Sequence, residues 1–455
     1  MKKEGSLMKE GDGLEKEDVL VVKEGEKGGA KYVRIETPFV NFCKIFKPIL
    51  SSPKVESIVN NLPVLLLTIT ATAYELTNSE STLSSPDVFY MPDNWIYEII
   101  INLKEFKSSP DLVIDAKGLF VVPGFIDIQI NGAFGVDFSQ TSADFDEQKI
   151  KADLTKVSKG LLRTGCTSFI PTLISSEDHV YKNMLPLIRP RKGNLKNGAE
   201  ILGSHVEGPF ITPEKCGVHE KYKFKVLSND FENTYGSENI RNSIKLITVA
   251  PEVEGVLDNI ERLVKSGITV SIGHSAATVV EAESAIKKGF HHRDPGIIGL
   301  LGTTCIKRPY YGVICDGIHV HPNSIKIAYD SHPKGAIVVT DAISAMGLPP
   351  GDYELGDIHV RKQDEKVEIV GTRTLAGSVI TIDESVRNFK KFTGCSIVEA
   401  IEAATLHPAE LLGIQNRKGT LNTGSDADLL FLDDDLKIIR CFIAGEEFDM
   451  KNNDF

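Results

Sequence analysis

Short apolar runs that end in polar residues alternate with amphipathic segments from Val121 onward. The segments between the runs, such as DEQKIKADLTKVSKGLLRTG, EGVLDNIERLVKSG and TVVEAESAIKKG, have helical periodicity and end on a glycine suited to a helix C-cap. Strands that alternate with helices in this way predict an α/β fold with a TIM-type (β/α) barrel, whose chemistry lies at the carboxyl ends of the strands. The apolar runs are VVPGFIDIQI, TSFIPTLI, ILGSHVEGPF, IKLITVAPE, TVSIGHS, YYGVICDGIHV and GAIVVTDAI.

The count of apolar runs leaves this barrel one strand short. Seven strands are predicted, whereas a closed barrel of this type has eight. After the helix that ends at Gly289, the chain continues directly into FHHRDPG, which has the composition of a loop. The sequence therefore predicts that the sixth strand is missing between Gly289 and Phe290, and the unpaired edges beside such a gap would favour aggregation.

The two flanks of the barrel have the pattern of short strands. Residues 31–120 contain YVRIETPFVNFCKIF, LPVLLLTI, YEIIINL and DLVIDAKGLFVV, and residues 366–455 contain VEIVGT, ADLLFLD and IIRCFIAGEEF around one predicted helix, CSIVEAIEAATLHPAELLG, with a break near Pro408. We expect these flanks to form one small β domain, with the barrel over residues 121–365. Residues 1–30 are rich in Gly, Lys and Glu and are predicted to be disordered, and residues 51–93 follow no clear period and are a candidate insertion.

Composition narrows the classes of partner. The 455-residue chain is 41% hydrophobic and carries a net charge of −12 without a useful basic run, which argues against nucleic acid and favours a small-molecule substrate. Its seven scattered cysteines contain no CxxC pair and suit reduced thiols in a cytoplasmic protein. The start of the chain lacks an apolar signal core, and the stretch from Leu62 to Tyr74 is too short and too rich in threonine to span a membrane.

Polar groups recur where the predicted strands end. Taken singly, each histidine could be a satisfied core residue and each aspartate a helix cap. Five strands with the same feature instead predict a catalytic site at one face of the barrel. The residues concerned are Asp127 and Gln129, His205 and Glu207, His274, Asp316 and His319, and Asp341.

A metal-assisted hydrolysis fits these residue types. A divalent ion held by imidazole and carboxylate polarises a carbonyl and activates water. Glu207 and His274 are the best predicted ligands, and Asp341 is the predicted general base, with a helix N-cap as its alternative. Catalytic zinc sites commonly have three protein ligands, and the sequence does not plainly offer the third.

Three further side chains are candidates for holding a substrate. His319 and His219 would donate hydrogen bonds, although each could equally be a surface or core imidazole. Arg293 suits an anionic group such as phosphate because its planar guanidinium binds such oxygens bidentately. The alternative for Arg293 is a surface ion pair with Asp294.

The motifs together resemble the N-acetylglucosamine-6-phosphate deacetylases of the amidohydrolase superfamily. The matching stretches, which follow in the family's order from Val121 to Asp433, are PGFIDIQINGAFGVDFS, GSHVEGPFI, KCGVH, VSIGHSAAT, HHRDPGIIGLL, YYGVICDGIHVHP, VVTDAISAMG, TLAGS and ATLHPAELLG. IDIQI is informative because most amidohydrolases have a His-x-His metal pair there, whereas this family has Asp-x-Gln, as in Asp127 and Gln129.

The resemblance implies a metal-dependent-hydrolase barrel with a small β-sandwich domain formed by both chain ends, usually as a homodimer. It also implies hydrolysis of N-acetyl-D-glucosamine 6-phosphate to D-glucosamine 6-phosphate and acetate with one divalent ion, for which we expect zinc, although iron and cobalt also suit such ligands. Glu207 and His274 match metal ligands, and Asp341 matches the proton donor and acceptor. The matches to substrate-binding positions are Val218, His219, Arg293, Asp316, Gly317, Ile318, His319, Leu375, Ala376 and Gly377.

The chain departs from the family where the strand count is short. The family has a THLFNAM-type segment before HHRDPG, which supplies the sixth strand, the remaining ligand histidine and an Asn-Ala pair that holds the substrate. Here that segment is absent, and His291 or His292 is the only replacement that the loop offers. The alternatives to an active deacetylase are therefore a catalytically impaired member that only binds sugar phosphate or a partner subunit, and a deacetylase for another N-acetylated substrate.

Overall fold

The computed structural model describes residues 69–70, 114–140, 145–227, 231–289, 292–293, 309–422 and 424–451. The chain divides into two compact units, one of residues 1–82 and 92–119 and the other of residues 83–91 and 120–455. In the described part of the first unit, β1 (Ile69–Thr70) pairs in parallel with β2 (Ile114–Asp115). The prediction of a disordered tail over residues 1–30 lies outside the described residues, as does almost all of the stretch 51–93.

The second unit contains the strands and helices of the predicted barrel. Its strands are β3 (Phe120–Pro123), β4 (Phe125–Ile130), β5 (Gly132–Ala133), β6 (Val136–Asp137), β7 (Cys166–Leu173), β8 (Glu200–Ile201), β9 (Ser204–Glu207), β10 (Ile244–Val249), β11 (Thr269–Ile272), β12 (His292–Arg293), β13 (Tyr311–Ile314), β14 (Ala336–Val339), β15 (Gly351–Leu355), β16 (Ile358–Gln363), β17 (Lys366–Ile369), β18 (Leu429–Leu432), β19 (Ile438–Ile443) and β20 (Glu446–Phe448). Its helices are α1 (Glu147–Leu162), α2 (Asp178–Met184), α3 (Phe231–Tyr235), α4 (Ser237–Asn242), α5 (Val256–Lys265), α6 (Val279–Lys287), α7 (Pro322–Ser331), α8 (Ile382–Thr393), α9 (Ile397–Glu402) and α10 (Leu406–Leu411).

The parallel strands follow one another in a curled sheet. Strands β4, β7, β9, β10, β11 and β12 lie side by side in that order, and β13 pairs in parallel with β14. Backbone hydrogen bonds join the ends of β4 and β14: the Asp341 N–H donates to the Gln129 carbonyl at 2.8 Å, and the Asn131 N–H donates to the Ala342 carbonyl at 2.7 Å. All seven predicted strands are therefore present, and the carboxyl ends of the first and the last of them meet.

A two-residue strand lies beside β11, where the sequence has no predicted strand. In this pairing Ser271 is opposite His292 and Ile272 is opposite Arg293, both in parallel. Residues 294–308 and the side chains of His292 and Arg293 lie outside the described part of the chain. The absence of a full sixth strand stays a prediction.

Burial follows the sequence pattern. Every residue of β4 and β7 is buried, as expected for parallel strands that are covered on both faces. Helix α1 begins at the N-cap Asp146, whose carboxylate accepts the Gln148 N–H at 2.9 Å, and the helix buries an apolar stripe that includes Leu154 and Leu161. Because the parallel strands are enclosed in this way, polar groups at their carboxyl ends are held in fixed positions.

A second sheet joins distant parts of the chain. It is antiparallel with the order β20, β19, β18, β3, and Leu430 pairs with Val122. The small β domain and its boundaries stay predictions.

The predicted break in the helix of the C-terminal flank is confirmed. The pattern over 395–413 predicts one helix with a break near Pro408, and the structure has two helices there, α9 and α10. The helical path ends before Thr405, whose φ and ψ of −133° and −77° are not helical. Pro408 lies in the first turn of α10, where its missing N–H breaks no intrahelical hydrogen bond.

A buried lysine joins the C-terminal segment to the parallel sheet. The side chain of Lys418 is 4% exposed, and its Nζ lies 3.1 Å from Glu200 Oε2 and 3.1 Å from Asp426 Oδ2. The same ammonium donates to the carboxylate of Asp428, which is also buried. Glu200 belongs to β8, which pairs with β7, so this ion-pair cluster links residues 417–428 to the barrel strands.

None of the helices in the described part of the chain has the length and apolar character needed to cross a membrane.

Candidate functional site

Three ligand-type side chains meet at the carboxyl end of the sheet. Glu207 is the last residue of β9, His274 follows β11, and His219 lies in the loop after β9. Glu207 Oε1 is 3.1 Å from His274 Nε2, and Glu207 Oε2 is 3.9 Å from His219 Nε2. One ligand atom from each residue lies within 4.8 Å of the other two. A carboxylate with two imidazoles at this spacing is a donor set that suits a zinc-type ion.

The ring orientation of His274 favours metal binding. Its Nδ1 is 2.8 Å from the carbonyl oxygen of Lys215, so Nδ1–H donates to that carbonyl, and Nε2 is the nitrogen that faces Glu207. The backbone of His274 has φ of 47°, in the left-handed region that residues other than glycine rarely adopt. The Thr212 N–H donates to the His274 carbonyl at 3.0 Å and holds this turn.

His219 is buried and neutral. Its Nδ1 accepts the backbone N–H of Ser175 at 3.2 Å and lies 2.9 Å from Ser175 Oγ. Burial lowers the pKa of His219 to about 3, so the imidazole is uncharged at neutral pH. A neutral imidazole is the form that binds metals.

Glu207 is an ionised acceptor in this cluster. Burial on its own would raise the pKa of its carboxyl, but the hydrogen bond from His274 and the neighbouring imidazoles hold the pKa well below the ordinary value. The side-chain amide of Gln129 also donates to Glu207 Oε1 at 3.2 Å. Glu207 is therefore available as an anionic ligand throughout the neutral range.

Asp341 lies next to the cluster and is tied to it by Gln129. The Gln129 amide donates to Asp341 Oδ1 at 3.3 Å, and the Asn131 amide donates to the same oxygen at 2.8 Å. Burial, followed by the charge of Glu207, raises the pKa of Asp341 to about 7. The described chain starts no helix directly after Asp341, so the alternative of a helix N-cap is wrong.

Two acceptors in this site lack a hydrogen-bond partner within the described chain. They are the buried side-chain oxygens Oε1 of Gln129 and Oδ1 of Asn131. Buried polar atoms are almost always hydrogen-bonded in folded proteins, and a bound ligand or water supplies the partner when protein does not. These acceptors and the three-residue cluster fit a polar ligand and a metal at this place.

Asp127 and His205 have other roles than the sequence pattern suggested. Asp127 is buried and accepts the hydroxyl of Thr340 at 2.5 Å, and burial raises its pKa to about 7. It joins β4 to the end of β14 and so positions the residues around it. The two ring nitrogens of His205 lie 3.1 Å from Thr172 Oγ1 and 2.7 Å from Thr248 Oγ1, so both are occupied. The expectation that the end of β9 delivers an imidazole into the site is therefore wrong for His205.

The loop after β13 presents a histidine supported by a carboxylate. Asp316 accepts the backbone N–H groups of Ile318 at 2.8 Å and His319 at 2.9 Å, and its other oxygen lies 2.6 Å from His319 Nδ1. Burial opposes the charged form of His319, but the carboxylates of Asp316 and Asp341 raise its pKa above the ordinary value. Gly317 and Ile318 form the exposed tip of this turn.

The segment 375–377 lies directly against Asp341. A Cβ on Gly377, which has φ of +64°, would come within 2.9 Å of the Asp341 carbonyl oxygen, so only glycine fits this approach. Ala376 is buried in an apolar cluster, against which Val218 also packs, and Leu375 forms a bridge with Glu368. Of the sequence-predicted substrate positions, only the Arg293 side chain lies outside the described residues.

Sequence analysis did not single out Asn131. It follows Gln129 at a spacing of two along the strand direction, which places both side chains on one face of a strand. The pattern Asp-x-Gln continues two residues further to Asn131, and this continuation could have identified it.

Known proteins with similar sequences and folds share one family description. The model of the amidohydrolase family matches residues 120–451. The chain is 43% identical over 380 residues to N-acetylglucosamine-6-phosphate deacetylase of Danio rerio, in an alignment that covers 78% of this chain and 92% of the relative. Two solved N-acetylglucosamine-6-phosphate deacetylases have similar folds over 75% of this chain and 90% of their own: that of Pasteurella multocida with a TM-score of 0.65 and 28% identity, and that of Thermotoga maritima with a TM-score of 0.62 and 31% identity.

Proposed function

The chain belongs to the amidohydrolase family, and from this premise we propose that it hydrolyses N-acetyl-D-glucosamine 6-phosphate to D-glucosamine 6-phosphate and acetate in amino-sugar catabolism. The observation that carries the proposal is the half-buried carboxylate of Asp341 beside the cluster of Glu207, His219 and His274. Relatives at this identity are deacetylases for this substrate. The alternative of an impaired member that only binds sugar phosphate is not favoured.

Metal chemistry is part of this function. When bound, a divalent ion, for which we propose zinc, polarises the amide carbonyl and lowers the pKa of water. Glu207 and His274 would hold it, because the Lys215 carbonyl and the Gln129 amide already orient their ligand atoms.

Asp341 carries the proton in the proposed reaction. Its carboxylate accepts a proton from the attacking water and returns it to the nitrogen of the leaving amine, which departs as D-glucosamine 6-phosphate. Both described side-chain hydrogen bonds to Asp341 go to Oδ1, so we assign the transfer to Oδ2. A raised pKa suits both halves of this role. The carboxylate must be basic enough to take the proton from water, and the carboxyl that results must be acidic enough to give it to the amine nitrogen.

The remaining side chains would hold the sugar phosphate. His319, supported by Asp316, is a donor for a substrate oxygen. Segment 375–377 would contact the sugar through its backbone, because Gly377 brings this segment against Asp341. Arg293 is proposed to bind the phosphate, and Val218 and His219 are proposed to contact the substrate.

The first test is acetate release from the purified 455-residue chain loaded with zinc. We expect turnover with N-acetylglucosamine 6-phosphate, loss of turnover after chelation, and recovery when metal is restored. Unphosphorylated N-acetylglucosamine and the epimer N-acetylgalactosamine 6-phosphate serve as comparison substrates. A metal-loaded, folded chain that releases no acetate from any of the three would refute the proposal.

Replacing Arg293 by alanine is expected to raise KM for the phosphorylated substrate about 10- to 100-fold, because one charge-assisted hydrogen-bonded pair contributes about 1.5–3 kcal/mol. The measurement is kcat/KM for phosphorylated and unphosphorylated N-acetylglucosamine. The control is Arg361→Ala, since Arg361 forms an exposed ion pair with Asp352. An unchanged preference for phosphate in Arg293→Ala would favour a deacetylase for another N-acetylated substrate.

Replacing Asn131 by leucine is expected to lower kcat about 10- to 100-fold, because the charge-assisted hydrogen bond to Asp341 is lost and the carboxylate is held by Gln129 alone. Bound metal should not change, since the described hydrogen bonds of the Asn131 amide go to Asp341. Steady-state kinetics together with metal analysis check both statements. If Asn131→Leu lost its metal instead, Asn131 would be a support of the metal cluster and not of the base.

Several finer features belong to the same proposal. We propose that the curled sheet completes a TIM-type barrel, that the antiparallel sheets belong to a β-sandwich domain formed by both flanks, and that the protein is a cytoplasmic homodimer. The five described cysteines are all free thiols, which suits a reducing compartment.

A further inference from the structure

We propose that Lys223 is a positioning residue for substrate binding. Its ion pair with Asp357 fastens residues 212–223, the substrate loop, to the turn between β15 and β16. The substrate loop carries Val218 and His219, so the inference rests on the proposed function, in which both contact the substrate. Lys223 itself is not among the positions that the resemblance assigns.

The ammonium of Lys223 is buried between two carboxylates. Its side chain is 3% exposed, and Nζ lies 2.7 Å from Asp357 Oδ2 and 2.7 Å from Glu220 Oε2. Burial alone would lower the pKa of Lys223, but the hydrogen bonds to Asp357 and Glu220 raise it to about 12, so the ammonium is charged at neutral pH. A buried charge is stable only while its partners stay beside it, because separation would leave it without a counter-charge or water.

The two partners of Lys223 lie in different parts of the fold. Glu220 directly follows His219, and the Lys223 N–H donates to the Glu220 carbonyl at 3.0 Å in a short 3₁₀ helix, so this pair is local. Asp357 lies in the turn between β15 and β16, 134 positions further along the chain. The contact with Asp357 is therefore the one that joins the end of the substrate loop to another element.

The turn between β15 and β16 is itself fixed to the site. The Gly356 N–H donates to the buried carboxylate of Asp137, and a Cβ on Gly356, which has φ of +59°, would lie 3.4 Å from Ile174 Cδ1. Ile174 follows β7 and directly precedes Ser175, whose backbone N–H donates to His219 Nδ1 at 3.2 Å. The turn is therefore a firm support for the substrate loop.

Apolar contacts join the same parts of the chain but do not orient the loop. Val218 packs against a buried apolar cluster that includes Leu355, next to the turn, and Ala376, in the segment that lies against Asp341. Apolar burial is not directional. Charge-assisted hydrogen bonds, in contrast, have a defined length and direction. The pair of Lys223 with Asp357 is therefore the contact that sets the orientation of the loop.

Loss of the ammonium should loosen the substrate loop without unfolding the protein. The side chains of Glu220 and Asp357 are 31% and 37% exposed, so both carboxylates can be solvated when the lysine is absent. At the start of the loop, the Thr212 N–H still donates to the His274 carbonyl at 3.0 Å. Substrate affinity should therefore fall, while the proton transfer at Asp341 should change little.

The experiment compares Lys223→Met with Lys221→Met in the metal-loaded full chain. Lys221 is exposed and lies in the same loop, so its replacement makes the same change in charge. Lys223→Met is expected to raise KM for N-acetylglucosamine 6-phosphate about 10- to 100-fold and to keep kcat within about 3-fold. Lys221→Met should have the kinetics of the unmodified chain. An unchanged KM in Lys223→Met, or a fall in kcat without a rise in KM, would overturn the inference.

Asp357→Asn tests whether Lys223 acts through its long-range partner, and it is the second variant if Lys223→Met does not fold. It should also raise KM, because the ammonium then has only the local pair with Glu220. In the double variant, KM should stay close to that of Lys223→Met, since the second change removes a contact that is already lost. Independent effects that multiply in the double variant would mean that the pair does not position the loop.

Amide hydrogen exchange of the substrate-free chain tests the inference without the reaction. The substrate loop should exchange about 10-fold faster in Lys223→Met than in the unmodified chain, whereas β9 should keep its exchange rate. An unchanged rate in the loop would overturn the inference. Faster exchange of the loop in a chain that releases no acetate would support the role of Lys223 in holding the loop and refute the proposed function.

Discussion

Asp341→Asn is expected to lower kcat by about 10²- to 10⁴-fold, the contribution that a positioned general acid–base group usually makes. Asparagine has nearly the same shape as aspartate, and its oxygen can still accept the hydrogen bonds that Gln129 and Asn131 now donate to Oδ1. It cannot accept a proton from water at the second position. Since Asp341 is not one of the three clustered ligand residues, bound zinc should stay close to that of the unmodified chain.

The pH dependence of kcat/KM is a second measurement that tests the role of Asp341. Burial and the charge of Glu207 raise the pKa of Asp341, and a base acts only above its pKa, so kcat/KM of the unmodified enzyme should fall on the acidic side. A cation bound at Glu207 would offset the repulsion and move that fall to lower pH. In Asp341→Asn the residual rate should lack this acidic limb. Retention of more than about a tenth of kcat would exclude Asp341 as the base.

The raised pKa of Asp341 also predicts how the stability of the metal-free protein changes with pH. The pKa of Asp341 is higher in the folded chain than its ordinary value of 3.8, so the native state binds more protons than the unfolded state between these two values. The contribution of this group to the free energy of unfolding therefore decreases as pH rises through that window. Metal-free Asp341→Asn should unfold at a temperature no lower than the unmodified chain at pH 8. Asp352→Asn, at an exposed ion pair, is the matched control.

Sequence pattern located the strand ends well because each is a local signal. An apolar run that closes on a polar residue marks the carboxyl end of a parallel strand, and this placed Glu207, His274 and Asp341 at one face. The structure brings them together through Gln129, which hydrogen-bonds Glu207 and Asp341. Their catalytic and ligand roles stay predictions until they are measured.

The position of His219 could not be read from periodicity. It lies in an irregular loop, and its approach to His274 depends on a backbone hydrogen bond between Thr212 and His274, which are far apart in the sequence. The sequence pattern also could not distinguish a histidine that binds a metal from a core histidine whose ring nitrogens are hydrogen-bonded within the protein. His205 has the same strand-end signal as Glu207, and only the threonines on the neighbouring strands β7 and β10 show that its nitrogens are occupied.

The fold was predicted least well where a local signal is weak. The break in CSIVEAIEAATLHPAELLG was predicted from Pro408, but its position at Thr405 could not be read from the helical pattern, which continues through that residue. The two-residue strand β12, which pairs with β11, was not predicted because its sequence contains no hydrophobic run. A strand this short depends on its neighbour for its conformation and not on its own side chains.

Lys418→Met is expected to lower the free energy of unfolding by about 3–5 kcal/mol, the usual cost of removing one partner from a buried ion pair. Lys418 is 4% exposed and Asp428 and Glu200 are each 5% exposed, so their charges cannot be rehydrated in the folded state. Asp428 also fastens the chain through its backbone: its carbonyl accepts the Gly124 N–H at 2.9 Å, immediately before β4. Loss of the ammonium should therefore disturb the start of the strand that carries Gln129.

The measurement is urea unfolding followed by circular dichroism, with Lys437→Met as the control. Lys437 lies on the surface 3.6 Å from Asp435, with 65% of its side chain exposed, and exposed pairs contribute about 0–1 kcal/mol. The double variant Lys418→Met with Asp428→Leu should recover part of the loss, because an apolar pair can replace a buried ion pair at little cost whereas a single unpaired charge cannot remain buried. A loss below about 1 kcal/mol in Lys418→Met would mean that Arg417, which also donates to Glu200, neutralises the cluster on its own.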